Sequence, residues 1–319
     1  MKRKRFTAAN IVKKNTANGC KTNIERRYNV KLDMHCHTKE GSLDGKITLY
    51  ETILSLREKG YQGMLITDHN SYKAYRHYEK NIKGRYKELE DFTVLKGIEY
   101  DTIDAGHIIV IMPTGVKLPL LELRGLPVNL LIDIVHHFGG ILGPAHPCGE
   151  KYLSLMNTRR GRKSRNLTAR FDFIETYNAC ESPESNQAAA DLAERFGKPG
   201  IGGSDSHKEL CTGMGYTMID AEIKDETDLI HALRSETAVS SGGERYMFTT
   251  KQRIGRMNDV LVYSFWFYNK FLALYKRHKR QVELKENNLY GYRSARRHFF
   301  LKRRASGSFL HSYSHQKGA

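Results

Sequence analysis

Between residues 30 and 250 short apolar runs alternate with stretches of helical periodicity. The runs are Val30 to Met34, Gly63 to Thr67, Phe92 to Ile98, Ile108 to Met112, Gly140 to Pro144, Phe171 to Tyr177 and Gly200 to Gly203. Each has the length of a strand buried on both faces. Between them, Leu49 to Lys59, Leu130 to Phe138, Ser185 to Phe196 and Thr227 to Ser235 repeat apolar residues every three or four positions, and Gly60 and Gly197 provide stop signals. Strands alternating with helices predict an α/β fold with parallel strands, and about seven strands predict a closed or nearly closed barrel.

After Gly243 the alternation stops. Residues 251–319 read as a basic, aromatic, helical C-terminal extension whose end, Ala305 to Ala319, is Ser-, Gly- and His-rich and expected to be disordered. Residues 1–31 form a basic N-terminal segment, and residues 32–250 hold the folded domain. The formal charge of +17 follows this division. Residues 1–31 carry ten Lys and Arg against one acid, residues 251–319 carry sixteen against three, and 26 basic and 31 acidic residues lie between. An acidic centre suits metal chelation, and basic ends suit a polyanion such as nucleic acid.

Val260 to Tyr275 is apolar but interrupted by Asn269 and Lys270. It is shorter than the roughly 20 residues that span a bilayer, so it reads as a helix docked on the protein rather than on a membrane surface. Five scattered cysteines without a Cys-x-x-Cys pair argue against both a disulfide framework and a thiolate zinc site. No export signal follows the basic start, and a reducing cytoplasm is the expected setting.

Candidate chemistry recurs where the predicted strands end. His35 and His37 stand two residues apart after an apolar run, a spacing that puts both imidazoles on one strand face and Cys36 on the other. His69, Glu99, His146 and the pair Asp205 and His207 follow later runs. Strand ends converge on one mouth in a β/α barrel, so these side chains are expected to meet around one pocket.

Taken in order, His35-Cys-His37, Asp44, Asp68-His69, Gly97-Ile-Glu99, His107, Ala145-His146-Pro147, Glu175 to Asn178 and Ser204-Asp205-Ser-His207 resemble the PHP (polymerase and histidinol phosphatase) family over residues 32–245. The resemblance implies a distorted (β/α)7, TIM-like barrel that binds two or three divalent metal ions, commonly manganese, iron or zinc, and hydrolyses phosphate esters. It also implies the ligand sets. His35, His37, Glu99 and Asp205 would hold one ion, Glu99 would bridge to a second on His107 and His146, and Asp44, His69 and His207 would hold a third. Asp205, His207 and His69 would serve in catalysis, and Asp33, Asp68 and Asn178 would support the ligands from behind.

In the family the acid of the first motif usually stands closer to the second His than Asp44 does, and Glu40 is the alternative. The stretch from His107 to His146 is too short for the inserted cap domain of nucleotide-degrading relatives. Clustered cations would lower the pKa of a bridging water, orient the resulting hydroxide and neutralise phosphate oxygens. Arg159, Arg160 and Arg162 belong to a basic stretch expected to be a surface loop, able to hold substrate phosphate if it borders the mouth. Two functions are therefore expected. One is a metal-dependent phosphoesterase acting on a nucleotide, an oligonucleotide or a small phosphomonoester. The alternative is a nucleic-acid-binding protein that uses basic termini on the same scaffold.

Overall fold

The computed structural model describes residues 29–149, 153–246 and 256–286. The expected disordered end and nearly all of the basic N-terminal segment lie outside them. In chain order the elements are β1 (Val30–Cys36), α1 (Leu49–Glu58), β2 (Gly63–Ile66), α2 (Lys73–Asn81), β3 (Thr93–Asp101), β4 (His107–Ile111), α3 (Val128–His137), β5 (Ile141–Pro144), α4 (Arg159–Lys163), α5 (Arg165–Thr168), β6 (Ile174–Asn178), α6 (Pro183–Phe196), β7 (Gly200–Gly203), β8 (Gly215–Ile219), α7 (Glu226–Arg234), β9 (Val239–Gly243), α8 (Arg256–Tyr275) and α9 (Arg277–Glu286).

The fold is α/β, built on a curled seven-stranded sheet in the order β5-β4-β3-β2-β1-β8-β9 and a separate pair, β6-β7. The expectation of parallel strands holds for β1-β2, β2-β3 and β6-β7, whereas β3-β4, β4-β5, β1-β8 and β8-β9 are antiparallel. The reversal at β3-β4 has a simple cause. Only five residues separate Asp101 from His107, too few for a crossover helix, so the chain must turn back as a hairpin. Its consequence is functional, because the first residue of β4, His107, lies beside the last residue of β3, Asp101.

The β6-β7 pair lies between β5 and β1 near the mouth. On one side Asp172 N donates to Leu142 O at 2.9 Å; on the other, Asp205 N donates to His35 O at 2.7 Å and His37 N to Ser206 O at 3.1 Å. Glycine allows the second approach: a Cβ on Gly203 would lie 2.4 Å from the His35 backbone nitrogen. Helices close the outer faces. In α1, Leu49, Ile53 and Leu56 are fully buried, each worth about 2 kcal/mol, and Thr48 and Glu51 form a reciprocal capping box. Leu32, Leu65, Leu95, Ile109, Phe173 and Ile201 make the apolar cluster joining β1 to β7, which α7 also covers.

The C-terminal helices lie on the same end of the sheet as the strand ends. Arg124 donates to Asn269 Oδ1, Lys270 to Ile103 O, and Arg280 to Arg124 O. Gly125, at φ +95°, admits Ala273 into contact; a Cβ there would stand 2.6 Å from the Ala273 Cβ. The opposite face of α8 exposes Tyr263, Phe267, Phe271 and Tyr275. No described helix is long and apolar enough to cross a membrane. Gly203→Ala should lower stability by about 1–3 kcal/mol, because either β7 or β1 must shift. Urea unfolding of both proteins measures this, and an unchanged midpoint would contradict the close approach.

Candidate metal centre

Glu99 occupies the centre of the mouth, buried near the end of β3, and its two oxygens face different groups. Oε1 lies 2.9 Å from His107 Nδ1 and 3.2 Å from His146 Nε2. Oε2 lies 3.5 Å from His35 Nε2, 3.3 Å from His37 Nε2 and 3.1 Å from His69 Nδ1. His35 and His37 point the same way, as their spacing predicts, with their Nε2 atoms 3.1 Å apart. Asp205 Oδ1 completes that corner at 3.6 Å from His35 Nε2 and 3.3 Å from His37 Nε2. At the solvent edge, Asp44 Oδ2 stands 3.2 Å from His207 Nε2 and 3.8 Å from His69 Nε2. Glu40 turns away and accepts the Leu49 N–H at the start of α1, so Asp44 is the acid that reaches the cluster.

The rings are oriented as a cation needs. His35 Nδ1 lies 2.8 Å from Glu175 Oε1, which leaves Nε2 facing the centre. Ser42 donates to Asp68 at 2.8 Å and therefore accepts from His37 Nδ1 at 3.2 Å, with the same effect on His37. His207 Nδ1 donates to the Asp205 carbonyl at 3.0 Å. Asp68 also accepts from the Thr38 amide and hydroxyl, which fixes the loop after β1. Asn178 bridges Glu175 and Asp205, and Asp33 accepts from Ser204 N at 2.9 Å, tying β1 to the turn that carries Asp205.

That turn and two others are strained. Asn70, His146 and Asp205 adopt φ of 48°, 30° and 49°, a region that costs a non-glycine residue of the order of 1–3 kcal/mol. Each is pinned by the site: Asn70 N donates to Glu99 O, His146 N to Glu175 and Asp205 N to His35 O. The strain is thus sustained by the same contacts that aim the side chains.

Electrostatics agree with a site built for positive charge. Burial opposes ionisation of Glu99, yet His107, His69 and His35 hold its carboxyl well below the usual range. Asp205 is likewise held well below it against burial, chiefly by His35. Burial would pull the His37 ring down, but Asp205 and Glu99 raise it to about 10; Glu99 similarly lifts His146 to about 9. His69 Nδ1, His107 Nε2 and both oxygens of Asp101 are buried without a hydrogen-bond partner. They lie close together, with His107 Nε2 3.2 Å from Asp101 Oδ1, yet lack hydrogen-bond geometry. Orphaned donors of this kind, mixed imidazole and carboxylate, fit divalent zinc, iron or manganese. Among the described residues, three sets have ligand atoms close enough to share an ion: His35, His37 and Asp205; His69, Glu99 and His107; His37, His69 and His207.

All nine residues expected as ligands therefore converge. Two supporting acids went unassigned in the sequence: Glu175, which orients His35, and Asp101, which packs between His69, His107 and Arg124. Asp101 had a signal, since it follows Glu99 by two on the same strand face. The basic stretch near residue 160 is a correction. It is helical, because Thr158 caps α4 through Gly161 N; Arg159 and Arg160 line a cavity beside His107, and Arg162 does not.

Comparison with known proteins agrees with this arrangement. The PHP domain model matches residues 33–197 and a PHP-associated model matches residues 183–238. The DNA polymerase/3'-5' exonuclease PolX of Bacillus subtilis (strain 168) is 33% identical over 86 residues, 24% of this chain and 15% of that protein, so the chain spans well under a fifth of that relative. PsfC from Pseudomonas syringae PB-5123 shares the fold with a TM-score of 0.50 at 15% identity, over 74% of this chain and 99% of that one. The lesion-specific endonuclease PfuEndoQ from Pyrococcus furiosus does so with a TM-score of 0.52 at 15% identity, over 68% and 59%. With more than half of its length matched by the PHP domain model and the motif histidines and acids gathered at one mouth, the chain belongs to the PHP domain family.

Proposed function

We propose that this protein is a metal-dependent phosphoesterase that hydrolyses a phosphate ester at the Glu99 centre. The observation that carries this reading is the carboxylate of Glu99 shared between two imidazole groups, one oxygen toward His35 and His37 and the other toward His107 and His146. His35, His37, Glu99 and Asp205 would hold one cation, Glu99, His107 and His146 a second, and Asp44, His69 and His207 a third. Divalent ions there would acidify a water and neutralise the charge on phosphate oxygens.

The chain's own residues divide the remaining work by exposure. His35 and His37 are fully buried and hold position, whereas Asp205, His69 and His207 are partly exposed and border the space a phosphate would enter. Those three would touch substrate. Glu175, Ser42 and Asn178 act behind them, keeping the Nε2 atoms of His35 and His37 and the Asp205 carboxylate aimed inward. Arg124, 3.3 Å from Asp101, balances that buried carboxylate beside the centre.

A nucleic acid is the substrate class that the wider setting favours. Two relatives by sequence or fold are a DNA polymerase/3'-5' exonuclease and a lesion-specific endonuclease, and the described part of the basic extension brings Lys270, Lys276 and Lys279 to cavities at the mouth. Binding through the extension therefore supplements hydrolysis here rather than replacing it.

Manganese-loaded protein should cleave a chromogenic phosphoester such as bis(p-nitrophenyl) phosphate, and His35→Ala or Asp205→Ala should each abolish turnover; full activity in both variants would refute the assignment. Glu175→Gln should weaken metal affinity about 10- to 100-fold by removing the negative charge behind the His35 ring. Isothermal titration with manganese reads this, and wild-type affinity would remove Glu175 from the positioning role. Asp44→Ala should lower the bound metal per chain while Glu40→Ala leaves it unchanged, as measured by plasma emission spectroscopy; the reverse pattern would return Glu40 to the ligand set.

A further inference from the structure

A cavity of about 690 Å³ opens from His107 and Asp101 and runs beneath α8 to α4. A single phosphate would occupy a small part of it; volumes in this range take whole organic ligands. Its two acids are already matched, Asp101 by Arg124 at 3.3 Å and Asp104 by Arg160 at 3.7 Å. Arg159, Lys163 and Lys270 then leave the cavity with surplus positive charge. Trp266 forms part of the α8 wall, with Lys270 Nζ 5.8 Å from its ring centroid. Surplus cations beside an indole make a surface for a phosphate joined to a flat aromatic group, which is the chemistry of a nucleotide.

The cavity on the other side of the mouth, about 750 Å³ beside Asp44 and His69, differs in kind. Its basic residues are nearly balanced by Glu40, Asp44, Glu122 and Glu283, and its aromatic side chain is the smaller ring of Tyr268. The two flanks of the Glu99 centre are therefore unequal, and the α4 side is the one suited to an anionic, base-bearing chain.

We propose that the cavity between α8 and α4 binds the nucleotide adjoining the scissile phosphate, its base against Trp266 and its phosphate between Arg159 and Lys163. This rests on the phosphoesterase reading of the Glu99 centre and names its substrate as a single-stranded oligonucleotide. A duplex keeps its bases stacked on one another, whereas a single strand can lay one on a side chain. The C-terminal helix takes the position of a substrate cap, although the stretch from His107 to His146 carries no inserted domain.

Trp266 is the single tryptophan of the chain, so its fluorescence reports on this cavity alone. Titration of the full-length protein with a short oligothymidylate, without added metal so that the probe is not cleaved, should quench the emission saturably; inorganic phosphate at equal concentration should not. In anisotropy measurements with a labelled oligothymidylate, Trp266→Ala should weaken binding about 5- to 150-fold and Trp266→Phe much less. The double variant Arg159→Ala/Lys163→Ala should reduce the slope of log affinity against log salt by about 1–2. An oligonucleotide that binds without altering Trp266 emission, equal affinity in Trp266→Ala, or no binding at all would overturn the proposal. Hydrolysis of bis(p-nitrophenyl) phosphate by the manganese-loaded wild-type protein separates the two claims. Activity kept there with Trp266 silent refutes only the nucleotide subsite, whereas a quenched Trp266 without hydrolysis in the wild type refutes only the phosphoesterase.

Discussion

The buried carboxylate of Glu99, with five imidazoles around its two oxygens, is the constraint on which the mouth of this fold depends. A carboxylate out of water is costly unless positive charge meets it, and each ring that meets it comes from a different stretch of chain or from alternate positions of one strand. β1 supplies His35 and, just past its end, His37; the turn after β2 supplies His69; β4 begins with His107; and the turn after β5 supplies His146. Satisfying Glu99 thus requires the sheet to curl and the β6-β7 pair to bring Asp205 against His35. Protons can hold this array together, as the raised His37 and His146 show, but divalent cations would meet the same oxygens without using ring nitrogens as donors.

The supporting layer explains why the array keeps its shape. Glu175 meets the His35 ring and the His146 amide, Ser42 the His37 ring and the His69 amide, and Asn178 the Asp205 carboxylate, while the left-handed backbone at Asn70, His146 and Asp205 is held by amide hydrogen bonds to Glu99, Glu175 and His35. Loosening one partner would let both the backbone and the ring relax, so geometry and strain are two aspects of the same network.

Much of this was legible in the sequence because it rests on spacing. The His35–His37 pair at period two, the polar residues after apolar runs and the glycine stops of α1 and α6 all follow from local rules. The sense of β4 was not legible in its apolar run, which reads alike in either direction; only the brief link from Asp101 to His107 carried that information. β9 is hard to read because Val239–Gly243 is Ser- and Gly-rich and partly exposed, whereas β8, Gly215–Ile219, alternates in burial over only five residues. α2 buries only Ala74 and Tyr78 among charged neighbours, so its periodicity is faint. The choice between Glu40 and Asp44 turned on a loop conformation, set when Glu40 accepts from the first turn of α1. The placement of α8 across the mouth depends on long-range contacts with Arg124 and Gly125 that no local pattern encodes.

The central claim is that Glu99 joins two cation sites. Crystals of the full-length protein soaked in manganese, with anomalous differences recorded above the manganese edge, test it most directly. The geometry predicts one peak within ligand distance of Glu99 Oε2, His35 and His37, and another within ligand distance of Glu99 Oε1, His107 and His146. A fully soaked crystal with Glu99 contacting only imidazoles, and manganese bound elsewhere or not at all, would contradict it.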